Sequence, residues 1–222
     1  MFWILLLSLL SACGICLAVC SSIDLFFRLN TFHTLYLDTF FQNYTLLGDG
    51  VFSIAIFLIL LLANKIPLAL QVITGYLFSG IISQIIKHLV HAPRPHAIIS
   101  NTEYPYFIEG VTLSGMNSFP SGHTTSVFTL AVLLALNTKY SRKPQAESQK
   151  QIQLRTPGIT LFYLITAIIT GYSRIYLGQH FLADVATGAL IGTLSALAVY
   201  WYLRQVKIEF TGVNKDARVQ LQ

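Results

Sequence analysis

Charge is scarce in this chain of 222 residues: 14 Lys and Arg and 9 Asp and Glu make up 10% of it. A soluble domain carries roughly 25%. With 54% hydrophobic residues and a mean hydropathy of +0.63, the deficit excludes an ordinary soluble domain and predicts a polytopic membrane protein. A span takes about 20 apolar residues, so one domain of roughly five to seven short-looped helices fits the length. Cysteine is nearly absent. Cys13, Cys16 and Cys20 all fall in the first apolar run, which excludes a disulfide framework and a zinc site. No Lys or Arg precedes that run, although Leu10-Ser11-Ala12-Cys13 resembles a lipoprotein cleavage box. A secretory signal needs a basic start, so the run is expected to stay as a first span. Carboxylates form no cluster that would hold Mg²⁺. His88, His91 and His96 have no acid or cysteine to complete a zinc set. No metal and no cofactor are expected. The formal charge of +5 is not one patch, which excludes nucleic acid as a partner.

What charge there is collects in a few places, above all in Gly171 to Asp184. This stretch lies between two apolar runs yet carries Arg174, His180 and Asp184. Ionisable groups at the edge of a span are costly to desolvate and mark a functional site. His180 and Asp184 are four residues apart. On one helix they would share a face, and the carboxylate would fix the imidazole tautomer. Arg174 offers a permanent fork-shaped cation suited to phosphate. The stretch reads as a site where a histidine attacks a phosphate group.

The chain reads as one domain over 1–222, with spans near 2–20, 51–63, 68–90, 123–136, 158–172 and 182–203. Residues 23–48, aromatic but broken by polar residues, fit an interfacial segment lying on the membrane. A proline-punctuated polar stretch from Ala92 to Phe119 reads as a long ordered outer loop. Its residues 101–117 are expected to help select a headgroup. The charged stretch from Asn137 to Thr156 reads as a flexible connector, and 204–222 as a frayed cytoplasmic tail. The fold class is therefore all-α: a six-transmembrane-helix bundle with an interfacial N-terminal segment and a long outer loop between spans three and four. With the N-terminus in the cytoplasm, only Arg28, Lys87, Arg94 and Arg174 among the 14 Lys and Arg face outward. That asymmetry obeys the positive-inside rule.

Three of those outer cations sit in constellations. Lys87-x6-Arg94-Pro95 puts two cations at the end of span three, with Pro95 stiffening the chain; snorkelling to headgroups is its ordinary alternative. Pro120-Ser121-Gly122-His123 opens span four, where free backbone N–H groups and the helix dipole seat an anion. Ser121 can cap or donate, and His123 can move a proton. Ser173-Arg174-x5-His180-x3-Asp184 is the third. All three fall on one face of the membrane in the six-span layout, which unrelated features would not require.

In that order, the three constellations resemble the signature of the type 2 phosphatidic acid phosphatase family, with every position met. The resemblance implies a metal-independent, six-helix membrane phosphatase. It implies His180 as the nucleophile forming a phosphohistidine, Asp184 as its orienting base, and His123 as the proton donor to the leaving oxygen. Lys87, Arg94, Ser121, Gly122 and Arg174 would hold the phosphate. The partners implied are a lipid phosphate substrate and the bilayer, with no obligate protein partner. The expected setting is a bacterial inner membrane, with the site facing the periplasm or exterior. Undecaprenyl diphosphate is the first substrate expected; phosphatidylglycerophosphate, phosphatidic acid and lipid A are alternatives. A lipid phosphotransferase would carry the same motifs, and a lipid-phosphate binding or transport protein would use the same cations without the His180–Asp184 pair.

Overall fold

The computed structural model describes residues 1–138 and 156–219. The connector expected over 137–156 lies outside them from residue 139 to 155, as does the end of the tail. The described residues contain helices and no strand. In chain order the helices are α1 (Phe2–Val19), α2 (Ser22–Leu29), α3 (Leu35–Tyr44), α4 (Gly50–Leu62), α5 (Ile66–Val90), α6 (Pro95–Ile98), α7 (Gly122–Thr138), α8 (Thr156–Tyr176) and α9 (Leu182–Val219). A 3₁₀ turn at Thr45–Gly48 joins α3 to α4.

Short polar residues set several helix starts. Ser21 Oγ accepts from Asp24 N–H at 3.1 Å, Thr34 Oγ1 from Leu37 N–H at 3.2 Å, and Asp49 Oδ1 from Val51 N–H at 2.8 Å. Each satisfies a first-turn amide that has no partner inside its helix. These caps divide the aromatic 23–48 stretch into three short pieces. Two span ends differ from the sequence reading. α8 runs on to Tyr176, so Ser173 and Arg174 stand on its last turn rather than beyond it. α9 continues to Val219, carrying helix through the stretch read as a frayed tail.

Among the described residues, four helical stretches are long and apolar enough to cross a membrane: Phe2–Val19, Ile66–Ile98, Gly158–Tyr176 and Leu182–Gln205. Leu35–Gly48 and Gly50–Leu62 make a fifth if the pair, bent by 55°, counts as one. α4 alone has 13 residues, about 20 Å of helix, which is too short to span. α7, with 17 residues, is not among these stretches, and its position explains its composition. It packs against α5, α8 and α9, so its polar face meets protein rather than lipid. Thr125 and Thr129 return their hydroxyls to the carbonyls of Ser121 and Thr125 at 2.9 and 2.8 Å. α9 approaches α7 closely where it carries Gly188 and Gly192, as small residues allow between membrane helices. A Cβ on Gly188 would sit 2.7 Å from the Ser121 carbonyl oxygen, and one on Gly192 would meet the Thr125 carbonyl. Around this contact Phe2, Leu6, Phe128, Val132, Leu133 and Leu164 form the main apolar core.

Candidate active site

The site forms where the starts of α7 and α9 meet the ends of α5 and α8. Ser121 N–H donates to the Asp184 carbonyl at 3.0 Å, which locks the two helix starts together. Ser121 Oγ accepts from Thr124 N–H at 3.5 Å and from Thr124 Oγ1 at 2.9 Å, so Ser121 caps α7 and leaves the Gly122 and His123 amides as helix-start donors. Lys87, on the last turn of α5, places Nζ 4.0 Å from where a Cβ on Gly122 would lie.

His180 and Asp184 meet, but not along one helix as the spacing suggested. α8 ends at Tyr176, the chain turns through Gly178 at φ +63°, and α9 begins only at Leu182. His180 therefore precedes the helix, and Asp184 stands in its first turn. The Asp184 Oδ2 atom accepts from Phe181 N–H at 3.0 Å, the reciprocal half of a capping box. The same oxygen lies 3.2 Å from His180 Nδ1. Both residues are buried, at 2% and 3% exposure. Burial holds the His180 imidazole down to about 4. Arg174 and Arg94 act in the same direction, and the Asp184 hydrogen bond and charge oppose them. The ring is neutral near pH 7, with its lone pair available.

Arg174 is buried as well. Its Nη1 donates to Thr45 Oγ1 at 2.7 Å and its Nη2 to Gln179 Oε1. Its Nε is buried with no partner among the described residues. Arg94 Nη1 donates to the Gln179 carbonyl at 3.0 Å. His123 stands at the rim, with Nε2 3.8 Å from Asp49 Oδ2; the cations Arg174 and Lys87 bear on its ring. The eight residues singled out in the sequence thus come to one place.

Ser118, Thr45, Gln179 and Asp49 join them, and the sequence reading missed all four. Ser118 lies 2.5 Å from Asp184 Oδ2 and 3.2 Å from His180 Nδ1. Its nearness to Pro120-Ser121-Gly122-His123 was the one available signal. Asp49, between Gly48 and Gly50, reads in sequence only as a turn residue. Thr45 carries no sequence signal at all, since its partner is 129 residues away.

Helices long and apolar enough to cross a membrane, with a buried histidine–carboxylate pair set among cations, define an integral membrane protein with a cation-lined site at one end of its bundle. Residues 68–208 match the PAP2 superfamily, and the chain belongs to that family. It is 38% identical over 85 residues to the bacitracin transport permease protein BcrC of Bacillus licheniformis, covering 38% of this chain and 33% of that protein. It is 25% identical to an undecaprenyl-diphosphatase of Sulfolobus acidocaldarius, over 74% of this chain and 66% of the relative. It is 28% identical to a lipid A 4'-phosphatase of Bacteroides thetaiotaomicron, over 71% and 59%. The chain thus spans a third to two thirds of the length of these relatives. Among solved structures it resembles Aquifex aeolicus LpxE, at 27% identity and a TM-score of 0.62, over 81% of this chain and 94% of that one. The fold also matches the first transmembrane PAP2 type phosphatidylglycerolphosphate phosphatase from Bacillus subtilis. There the identity is 18% and the TM-score 0.66, over 92% and 95% of the two chains.

Proposed function

We propose that this protein hydrolyses a lipid phosphate or diphosphate at the outer face of a bacterial inner membrane, through a phosphohistidine. The observation that carries the reading is the buried His180–Asp184 pair, neutral at its ring and set among cations from separate chain segments. His180 Nε2 forms a bond to phosphorus as the bond from phosphorus to the lipid oxygen breaks. His123 gives that oxygen its proton. Water, losing a proton to His123, then attacks phosphorus, the N–P bond breaks, and phosphate leaves. Lys87, Arg94, Arg174, Ser121 and the Gly122 amide hold the phosphoryl oxygens, as charge developing in transfer requires. The unpartnered Nε of Arg174 supports its place in that set, because a buried donor needs an acceptor.

A cavity of about 500 Å³ borders Asp184, with Val90, Pro93, Ile98, Phe119 and Phe181 among its walls. Apolar walls beside a cationic site suit a lipid better than a soluble phosphate. The bent α3–α4 pair and α7 complete six spans with α1, α5, α8 and α9. The charge asymmetry supports an outward-facing site.

Undecaprenyl diphosphate is the first substrate, supported by the likeness to an undecaprenyl-diphosphatase; the lipid A 4'-phosphatase relative makes lipid A the second. Phosphate release from purified protein over undecaprenyl diphosphate, phosphatidylglycerophosphate, phosphatidic acid and lipid A tests the reading. Release is expected to be fastest from the first. Transfer of the phosphoryl group to a second lipid, with no free phosphate, would make the protein a phosphotransferase; binding without turnover would make it a carrier.

A further inference from the structure

Ser118 belongs to none of the three constellations, yet it is 0% exposed and touches both members of the central pair. A serine hydroxyl has one hydrogen, and an ionised carboxylate has none. At 2.5 Å from Asp184 Oδ2, the hydroxyl donates to the carboxylate. Its lone pairs are then left to face His180 Nδ1 at 3.2 Å, where Asp184 Oδ2 stands at the same distance. Both neighbours of Nδ1 are acceptors. The ring satisfies them only with its hydrogen on Nδ1, which leaves the lone pair on Nε2. The Ser118 backbone binds as well: its N–H donates to the Ala92 carbonyl at 2.9 Å, and Arg94 N–H donates to the Gly115 carbonyl at 2.8 Å. One short ladder therefore seats Ser118 and Arg94 together.

We infer that Ser118 is a positioning residue for the nucleophile: with Asp184 it fixes the His180 tautomer, it draws off part of the Asp184 charge, and it ties both to the seating of the Arg94 segment. The role in turnover rests on the reading of His180 as nucleophile; the effect on the imidazole does not. The groups facing His180 are Asp184 from α9, Arg174 from α8, Arg94 from the segment after α5 and His123 from α7. Lys87 of α5 acts on Asp184. Ser118 changes the balance among them only through Asp184. A donated hydrogen stabilises the carboxylate charge and weakens its support of an imidazolium. Loss of the hydroxyl returns that charge to the ring, so His180 should take up a proton at a higher pH, by about one unit or less.

The test uses full-length protein in detergent micelles with histidine labelled in ¹³C and ¹⁵N. The His180 resonances are assigned by their loss in His180→Ala. Wild type, Ser118→Ala and Ser118→Thr are titrated, and phosphate release from undecaprenyl diphosphate is followed alongside. Wild type should show hydrogen on Nδ1. Ser118→Ala should keep the hydrogen on Nδ1, which Asp184 still accepts, raise the midpoint, and lower kcat roughly 10- to 100-fold, the worth of a hydrogen bond to a charged group, with KM changed less than about twofold. Ser118→Thr should restore the midpoint and kcat. Ser118→Cys, a weak donor of similar shape, should shift the midpoint the same way and serves if the alanine variant does not fold. Hydrogen on Nε2 in wild type or an unchanged midpoint in Ser118→Ala would overturn the inference, as would a raised KM with kcat intact. If wild type releases no phosphate, the proposed function fails while the titration still decides the role of Ser118.

Discussion

Ser121 N–H donates to the backbone carbonyl of Asp184 at 3.0 Å. This one bond puts the start of α7, with Gly122 and His123, against the first turn of α9, with the carboxylate that holds His180. It is possible because Gly188, one turn further along α9, has no side chain to push the Ser121 carbonyl away. The spacing of the two helices is therefore part of the site.

Gly188→Ala should separate the two helix starts. Its Cβ would need room 2.7 Å from a backbone oxygen, and overpacking of this kind costs about 1–3 kcal/mol. Thermal unfolding in detergent should shift downward, and phosphate release should fall by more than the loss of folded protein explains. Unchanged turnover would show that the site tolerates the wider spacing.

His180→Ala and His123→Ala should both abolish phosphate release while the protein stays folded. Asp184→Asn keeps the nucleophile but loses the carboxylate. It should retain weak activity, down on the order of 10²- to 10⁴-fold. EDTA should leave turnover unchanged, and vanadate should inhibit as a phosphate mimic. Inhibition by EDTA that added metal reverses would contradict the mechanism.

Acid should act on both activity and stability through His180. Its folded value is about 4 against an ordinary 6.5. Between these the unfolded chain binds a proton that the folded chain does not, so stability rises with pH across this window. Below about 4 both states are protonated and the effect levels off. Activity should persist through pH 5 and decline towards pH 4. In Asp184→Asn the decline should move to still lower pH, because the group that favours the imidazolium is gone. A decline centred near 6.5 in wild type would mean that the ring is not held neutral by burial.

Arg174→Lys keeps the charge and should still fail. Arg174 commits two guanidinium nitrogens to Thr45 and Gln179 and keeps a third without a partner, and an ammonium has no fork to reproduce this. The expected loss in kcat/KM is roughly 100- to 1,000-fold. Thr45→Val, which removes one anchor and no charge, should cost far less.

Asp49→Asn separates capping from charge. Asparagine also caps a helix, so α4 should keep its stability. The His123–Asp49 distance of 3.8 Å and the 41% exposure of Asp49 make the pair a screened one, worth up to about 1 kcal/mol. Turnover should drop by no more than about fivefold. A loss beyond 100-fold would place Asp49 in the proton-transfer machinery.

Sequence alone determined that this protein belongs in a membrane and which side chains would gather at one site. Scarce charge and long apolar runs require lipid, and cations or histidines retained beside such runs need a task that repays their desolvation. That was enough to name Lys87, Arg94, Ser121, Gly122, His123, Arg174, His180 and Asp184. Only the tertiary structure decided how they act on one another. His180 and Asp184 meet across a chain turn and a helix start, not by helical period. Thr45, Ser118 and Asp49 join because distant segments converge, and local spacing holds no record of that convergence. A hydrogen bond takes whichever partner the packing delivers, and in a bundle of helices the packing is set by faces and close approaches such as those at Gly188 and Gly192.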